Sequence, residues 1–256
     1  MEIAGYITRK SMLYKTGVEY GDYAMNHVQG CAHGCRYPCY AYLQKKRVGI
    51  VKNYDEWCRP VLVSNTMELL DKEIPRIKGR VHSVQLCFST DPFMYGYPEV
   101  QKMSMAAIKK LNDNGIKCVI LTKGILPEEL KAYSPENEYG ITLISMNEEY
   151  RKQMEPGAAP YKERLEALRK LQEGGCRTWI SMEPYPTPNM LRQNLNELLQ
   201  NVAFVDKIVF GKINYNRMAS AWEGNKAFYN ACAEEVMSFC REHQIQCHIK
   251  EKTITV

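Results

Sequence analysis

Three cysteines, Cys31, Cys35 and Cys39, lie four residues apart in one short segment of the chain. An odd number of neighbouring thiols does not suit disulfide pairing, but three thiolates suit a metal site with one open position. Iron–sulfur clusters are bound by cysteine thiolates, and a four-iron cluster on three cysteines leaves one iron free for another ligand. The spacing therefore predicts a metal centre that can bind a further molecule.

Two other interpretations of this segment exist. A spacing of four would place the cysteines on one face of a helix as small buried hydrophobic residues. Gly30, Gly34 and Pro38 interrupt a helix, which argues against that interpretation. A structural zinc site normally has four protein ligands, and His33 could supply the fourth. Zinc therefore stays open as an alternative.

The composition is that of an ordinary soluble globular protein, with 45% hydrophobic and 25% charged residues among 256. This length suits one large domain or a barrel. No apolar run reaches the 18 residues of a membrane span, and residues 1–15 lack the apolar stretch of a secretory signal. Ten cysteines in a chain with no export signal indicate the reducing cytoplasm, so we expect a cytoplasmic location.

The seven remaining cysteines are scattered, mostly among apolar residues, and we expect buried thiols. A second cluster on Cys232, Cys240 and Cys247 is the alternative. The net charge of +5 is mild, and basic clusters occur at residues 45–47 and 76–80. Such clusters are usually solvated faces, but they are compatible with a nucleic-acid or phosphate-bearing substrate.

Short apolar runs alternate with amphipathic segments along most of the chain. The predicted strands are residues 23–28, 83–89, 117–122, 140–145, 177–182 and 207–211, with a last short strand at 246–249. The predicted helices are residues 100–114, 127–132, 161–173, 190–201 and 226–244, and a less regular helical excursion covers 44–79. This alternation is typical of βαβ units and predicts a single α/β domain with about six parallel strands.

Polar residues follow the predicted strands at the point where each strand ends. They are Thr90 and Asp91, Lys123, Ser145 and Asn147, Glu183, and Lys212 and Asn214. The carboxyl ends of parallel strands meet on one rim, which is where such folds carry their sites. The first strand leads into the cysteine segment, so we expect the polar residues and the cysteines to share that rim.

These residues resemble the radical S-adenosylmethionine (SAM) superfamily, and more narrowly its spore photoproduct lyase-like branch. The matching residues of the cysteine segment are Asn26, Gly30, Cys31, His33, Cys35, Tyr37, Cys39, Tyr40 and Ala41. Shorter matches follow in the family's order at residues 89–92, 122–123, 144–147, 155–156 and 164–165, so that the likeness spans about residues 21–186. The family has three residues and then two between its cysteines, whereas the extra Pro38 gives three and three here.

The resemblance implies a partial (β/α)6 barrel of one domain over residues 1–256, with a core at about 21–215 and a carboxyl-terminal helix at 226–244. It implies a 4Fe–4S cluster on the three cysteines and SAM as the second cofactor. Reductive cleavage of SAM would give a 5′-deoxyadenosyl radical that abstracts hydrogen from an unidentified nucleoside, nucleic acid or peptide. A low-potential electron donor such as flavodoxin or ferredoxin would supply the electron.

The resemblance also implies roles for single residues. Thr90 and Asp91 would accept hydrogen bonds from the amino group of SAM. The positions that would contact the carboxylate or ribose of SAM are Lys123, Ser145, Asn147 and Arg164. As a hypothesis of our own, the later strand-end residues Glu183, Lys212 and Asn214 would then face the substrate. Arg164 has an alternative as a surface residue of its helix. The whole chain has an alternative as a non-catalytic zinc or iron–sulfur protein that binds nucleic acid or senses redox state.

Spore photoproduct lyase uses a cysteine after its second strand as a hydrogen donor. The alignment on Asp91 puts Phe88 at that position, and Cys87 is one residue earlier. Since side chains alternate across a strand, we expect Cys87 to point to the opposite face and not to act as the donor.

Overall fold

The computed structural model describes residues 1–17 and 22–255. Its strands are β1 (Tyr6–Ile7), β2 (Leu13–Lys15), β3 (Tyr23–Met25), β4 (Val28–Gln29), β5 (Val61–Val63), β6 (Ser83–Leu86), β7 (Lys117–Thr122), β8 (Glu138–Thr142), β9 (Arg177–Tyr185), β10 (Lys207–Lys212) and β11 (Gln246–Ile249). Residue 21, at which the predicted core begins, and residue 256, at which the predicted domain ends, lie outside the described residues.

The helices lie mainly between successive strands. They are α1 (Tyr40–Arg47), α2 (Tyr54–Trp57), α3 (Thr66–Ile77), α4 (Pro98–Asn112), α5 (Glu148–Met154), α6 (Tyr161–Glu173), α7 (Leu195–Asn201), α8 (Arg217–Ser220) and α9 (Asn225–Glu242), with a 3₁₀ turn at Glu128–Ala132. Within the described part of the chain, no helix is both long and apolar enough to span a bilayer.

The main sheet confirms the predicted α/β alternation. Its order is β11-β10-β9-β8-β7-β6-β3-β2, with parallel pairing from β3 through β11 and an antiparallel edge strand β2. A small second sheet joins β1, β5 and β4. Sequential strands are therefore neighbours, and their carboxyl ends lie on one rim, as the alternation predicts.

The outer face of the main sheet packs against the helices. In α6, Leu165, Leu168 and Leu171 recur at helical spacing and are buried in the largest hydrophobic cluster of the described chain. Cys118 and Ile120 of β7 join that cluster, whereas Val119 between them belongs to a separate one. Side chains alternate across a strand, so Val119 marks the inner face of the curved sheet.

The inner face is closed at its floor by Val119, Trp179 and Val209, from β7, β9 and β10. Gly140 of β8 makes room for the indole, because a Cβ there would lie 2.3 Å from a ring atom of Trp179. Leu121 packs on this floor. Above it the inner face is open, and the next inward positions become the wall of a cavity.

Several predicted boundaries were wrong. The strand predicted at residues 23–28 is split into β3 and β4, because Asn26 between them accepts hydrogen bonds from the backbone N–H and hydroxyl of Ser89 at 3.0 and 3.1 Å. The helix predicted from residue 190 begins at Leu195, where the Asn194 side chain caps it. Strand β9 runs on to Tyr185, and the less regular excursion contains β5.

Candidate active site

A cavity of about 710 Å³ opens at the carboxyl ends of the parallel strands. This volume lies within the roughly 300–1,000 Å³ typical of small-molecule sites. Most of the residues proposed from sequence line its wall, namely Cys31, Cys35, Cys39, Thr90, Asp91, Lys123, Glu183, Lys212 and Asn214. The structure therefore brings together the cysteines and the polar ends of β6, β7, β9 and β10.

Backbone contacts hold the cysteine loop in place. The backbone N–H of Cys31 donates to the carbonyl of Trp57 at 2.8 Å. Gly30 beside it has φ of +90°, and a Cβ there would lie 2.7 Å from the same carbonyl oxygen, so only glycine fits. Gly157 donates its backbone N–H to the carbonyl of His33 at 3.0 Å, and its own Cβ would lie 2.1 Å from the carbonyl oxygen of Ala32.

The donor set fits an iron–sulfur cluster better than a single zinc ion. Among residues 1–17 and 22–255, no three His, Cys, Asp or Glu side chains are arranged to hold one metal ion. Thiolates of a four-iron cluster bind different irons and need not converge on one point. His33, the possible fourth zinc ligand, instead accepts from the backbone N–H of Tyr95 at 3.2 Å and faces Asp91 at 3.4 Å.

The cysteine thiols of the bare loop favour their protonated form. Burial raises the pKa of Cys31 above its ordinary range and raises the pKa of Cys35 to about 11, although the Lys123 charge opposes the second shift. Only the thiolate binds metal, so cluster assembly on these cysteines releases protons.

Asp91 presents a buried carboxylate to the cavity. It accepts hydrogen bonds from the backbone N–H groups of Phe93 and Lys123 at 2.9 and 2.8 Å and from the Thr122 hydroxyl at 2.6 Å. None of these donors carries a formal charge, and burial lowers the pKa of His33 to about 4, so His33 is neutral at pH 7. These contacts pair the Asp91 carboxylate with uncharged donors, so the site can accept an ammonium group.

The hydroxyl of Thr90 is already in use. It donates to the carbonyl of Gly30, at the start of the cysteine loop. Thr90 therefore ties the end of β6 to that loop, and its oxygen can still accept a hydrogen bond from a group in the cavity.

Lys123 reaches toward the cysteine loop. Its Nζ lies 2.7 Å from Glu155 Oε1 and 3.5 Å from Cys35 Sγ, and it donates to the Tyr37 hydroxyl, above whose ring it lies at 4.5 Å. Burial would lower the pKa of Lys123, but the negative charge of Cys35, when its sulfur is a thiolate, and that of Glu155 outweigh burial and raise the pKa. The side chain is therefore an ammonium group at neutral pH.

Glu155 and Arg164 form a buried pair behind Lys123. Both side chains are 0% exposed, and an Arg164 N–H lies 2.8 Å from Glu155 Oε2. Burial opposes the ionisation of Glu155, but Lys123 and Arg164 lower its pKa to about 2. Arg164 also donates to the carbonyls of Ala159 and Thr142 at 2.8 and 3.0 Å.

Three of the proposed cofactor-binding residues do not line the cavity. Arg164 is buried, so the alternative of a surface helix position was wrong. It does not line the cavity, because its N–H groups donate to Ala159, Thr142 and Glu155. Asn147 caps α5 by accepting from the backbone N–H of Tyr150 at 3.0 Å. Ser145 is 1% exposed, and its hydroxyl accepts from the backbone N–H of Asn147. Their local roles are structural.

The cavity has inward positions that the sequence reasoning missed. Thr142 and Ser181 lie on its wall, on β8 and β9. They fall on the alternate positions that continue inward from Gly140 and Trp179, so a period of two along each strand was the signal that could have identified them. Both residues lie within a strand, whereas the residues predicted from sequence follow the strand ends.

Cys87 also departs from its expectation. Strand β6 ends at Leu86, Cys87 has φ of +51°, and both Gln85 and Cys87 line the cavity. The alternation argument therefore does not turn Cys87 away from the site. Its sulfur lies 3.5 Å from Nδ1 of His27, and burial raises the pKa of the thiol.

The remaining cysteines bear on the second cluster considered above. Cys232 and Cys240 lie on α9 and are buried in the main hydrophobic cluster, and Cys247 packs against it from β11. They are not arranged around a common metal position in the described chain.

A family model of the radical SAM superfamily matches residues 25–200, which is more than half of the chain. The chain belongs to the radical SAM superfamily. Enzymes of this superfamily use a 4Fe–4S cluster and SAM, and these are the cofactors of this chain. The main sheet is accordingly the partial barrel of that superfamily.

Two curated relatives are uncharacterized proteins. ORF301 of Acidianus two-tailed virus is 28% identical over 197 residues, which cover 73% of this chain and 64% of the relative. MJ0683 of Methanocaldococcus jannaschii is 26% identical over 182 residues, which cover 70% of this chain and 66% of the relative. The chain thus spans somewhat less than two thirds of the length of these relatives.

Solved structures of spore photoproduct lyase share the fold. A single-site mutant of that enzyme matches with a TM-score of 0.67 at 13% identity, over 96% of this chain and 80% of that one. A double mutant with bound AdoMet and dinucleoside spore photoproduct matches with a TM-score of 0.65 at 15% identity, over the same shares. At this identity the likeness extends to the fold alone.

Proposed function

We propose that Cys31, Cys35 and Cys39 hold the 4Fe–4S cluster and that the cavity beside them binds SAM and a substrate for radical-based hydrogen abstraction. The observation that supports this most is the placement of the three cysteines on the wall of one cavity with a buried Asp91 carboxylate. When bound, the cluster and SAM supply the one-electron cleavage of the sulfonium that initiates hydrogen abstraction.

The protein's own groups orient the cofactor and exclude water. Asp91 and Thr90 offer acceptors for the SAM ammonium group, and their hydrogen bonds to the backbone fix them in position. Trp179 closes the floor of the barrel, so reactive species formed in the cavity are shielded from that side. Glu183 has room to reach the cavity because Gly211 has no Cβ, which would lie 2.9 Å from the Glu183 carboxyl carbon.

For the substrate we propose a phosphate-bearing molecule with a planar group, such as a nucleotide or a nucleic acid. Arg47, Lys212 and Lys250 line the cavity, and Tyr215 beside them is 73% exposed. Residues 36–59 contain six Lys or Arg and two Asp or Glu, a net charge of +4 out of +5 for the chain. Cations neutralise phosphates and aromatic rings stack on bases, which supports this class of substrate.

Anaerobic reconstitution with iron and sulfide tests the cluster assignment. We expect a brown protein that releases 5′-deoxyadenosine from SAM under dithionite. Alanine at Cys31, Cys35 or Cys39 should abolish both the colour and the release, whereas Cys58→Ala should retain them, because Cys58 packs beside the loop but does not line the cavity. A colourless protein that binds one zinc ion would support the non-catalytic alternative and overturn the proposal.

The substrate assignment has its own test. Glu183→Gln and Lys212→Ala should leave SAM cleavage intact, and Lys212→Ala should weaken the binding of a single-stranded oligonucleotide and lower its dependence on salt. If these variants lose SAM cleavage to the same extent as substrate binding or turnover, Glu183 and Lys212 are not substrate-binding residues. Flavodoxin or ferredoxin as the electron donor and a cytoplasmic location stay predictions.

A further inference from the structure

The ammonium group of Lys123 occupies an unusual position between a carboxylate and a cysteine sulfur. Its Nζ lies 2.7 Å from Glu155 Oε1 on one side and 3.5 Å from Cys35 Sγ on the other. An ammonium carries three donors, so a single Lys123 can serve both groups and the Tyr37 hydroxyl at once.

Neighbouring groups hold this ammonium in one place. A lysine side chain is flexible and has no preferred direction of its own. Here its backbone N–H donates to Asp91 at 2.8 Å and its carbonyl accepts from Ala159 at 3.0 Å, which fixes the start of the side chain. Glu155 fixes the other end and is itself fixed by Arg164 at 2.8 Å. The charge is therefore built into the cavity wall.

Lys123, Glu155 and Arg164 form an ion-paired group with a net positive charge. Lys123 and Arg164 carry +1 each and Glu155 carries −1, so these three side chains sum to +1. The buried Asp91 carboxylate lies nearby and accepts from the backbone N–H of Lys123. A buried positive charge is stabilised by a negative group beside it. The Cys35 sulfur lies at hydrogen-bond distance from the Lys123 ammonium, so a cluster bound there through a thiolate would place negative charge beside that ammonium.

We propose that Lys123 is a positioning residue for the cluster and that its fixed charge on the Cys35 sulfur raises the cluster's reduction potential. Hydrogen bonds to the sulfurs and nearby net charge are the protein's means of setting such potentials. Reduction adds one negative charge, which a neighbouring ammonium stabilises. This inference rests on the proposed function, because it requires the cluster to be bound by Cys35.

The same geometry distinguishes this role from SAM binding. A lysine that served only the SAM carboxylate would affect SAM affinity and leave the SAM-free cluster unchanged. A lysine that acts on Cys35 changes the potential of the cluster before SAM is added. The measurement is therefore a redox titration of the reconstituted, SAM-free protein, followed by the electron paramagnetic resonance signal of the reduced cluster.

Two substitutions should shift the potential in opposite directions. Lys123→Met removes the positive charge, and at a fixed applied potential we expect the ratio of reduced to oxidised cluster to fall about tenfold, or about 59 mV for one electron. Glu155→Gln leaves the positive charges uncompensated and should raise the potential. Lys123→Arg keeps the charge and should stay closer to the parent protein than Lys123→Met does. A loss of local packing alone would not give shifts of opposite sign.

The outcomes separate this inference from the proposed function. A parent protein that takes up no iron–sulfur cluster overturns the proposed function. If the cluster potentials of Lys123→Met and Glu155→Gln both equal that of the parent protein, the inference alone is overturned. The inference is also overturned if Lys123→Met changes the affinity for SAM without changing the cluster potential. If Lys123→Met loses its cluster, the inference still requires Glu155→Gln to raise the potential, and an unchanged or lower potential in that variant overturns it.

Discussion

Glutamine at Glu155 should destabilise the apoprotein by about 3 kcal/mol at pH 7. Lys123 and Arg164 lower the pKa of this carboxyl from its usual 4.5 to about 2 despite its complete burial. Each pKa unit corresponds to about 1.4 kcal/mol, which gives about 3 kcal/mol of stability. Breaking a buried ion pair by removing one partner costs about 3–5 kcal/mol, in agreement. A domain with about 5–15 kcal/mol of stability remains folded after such a loss.

The pH dependence follows from the direction of the shift. Because the folded-state pKa of Glu155 is lowered, its stabilising contribution is fully present above pH 4.5 and is lost as the pH falls toward 2. Anaerobic urea unfolding of parent and Glu155→Gln apoproteins measures the difference at each pH. It should be largest at pH 7 and shrink between pH 4.5 and 2.

A surface carboxylate provides the control. Glu173 is exposed at the end of α6, and Glu173→Gln should change the free energy of unfolding by no more than about 0.5 kcal/mol. A Glu155→Gln apoprotein within about 1 kcal/mol of the parent at pH 7 would show that the buried charges contribute little. So would a difference that does not diminish in acid.

Two further substitutions test a close backbone contact and a buried histidine. Gly157→Ala should lower the iron content and the unfolding temperature, because the added Cβ would lie 2.1 Å from the carbonyl oxygen of Ala32. The control Gly17→Ala should retain the iron, because no atom lies within 4 Å of the Cβ added there. Burial lowers the pKa of His27 to about 3, so the folded protein excludes a proton that the unfolded chain binds, and stability should fall as the pH drops from 6.5 toward 3. His27→Gln should flatten that part of the urea-unfolding profile, and an unchanged slope would contradict the assignment.

The sequence predicted the central strands of the main sheet well because they are largely buried. Strand β7 and helix α6 have the predicted limits, 117–122 and 161–173. These elements have clear apolar periodicity and sharp ends, such as Gly174 after α6. The strand break at Asn26 is set by tertiary hydrogen bonds to Ser89, which a single segment of sequence does not reveal, whereas the start of α7 is set by the local Asn194 cap.

The site was predicted where its residues end a strand and missed where they lie inside one. Lys123 follows β7 and lines the cavity, but Ser145 and Asn147 follow β8 by several residues and serve the cap of α5. On β8 the wall position is Thr142, which still lies within the strand. A position on the inward face of a strand therefore predicts a residue of the cavity wall better than a position shortly after the strand end does.

The extra Pro38 shows how the loop keeps its three cysteines in place despite the altered spacing. Tyr37 before it is buried, and its hydroxyl donates to Glu155 while Lys123 lies over its ring. Cys39 after it is the N-cap residue of α1, and its carbonyl accepts from the backbone N–H of Leu43 at 3.0 Å. The residues on both sides of Pro38 thus contact groups beyond the cysteine loop, and Pro38 itself lies on the cavity wall. Because Tyr37 is held by the charged network, the loop accommodates the additional residue with all three cysteines on the wall of one cavity.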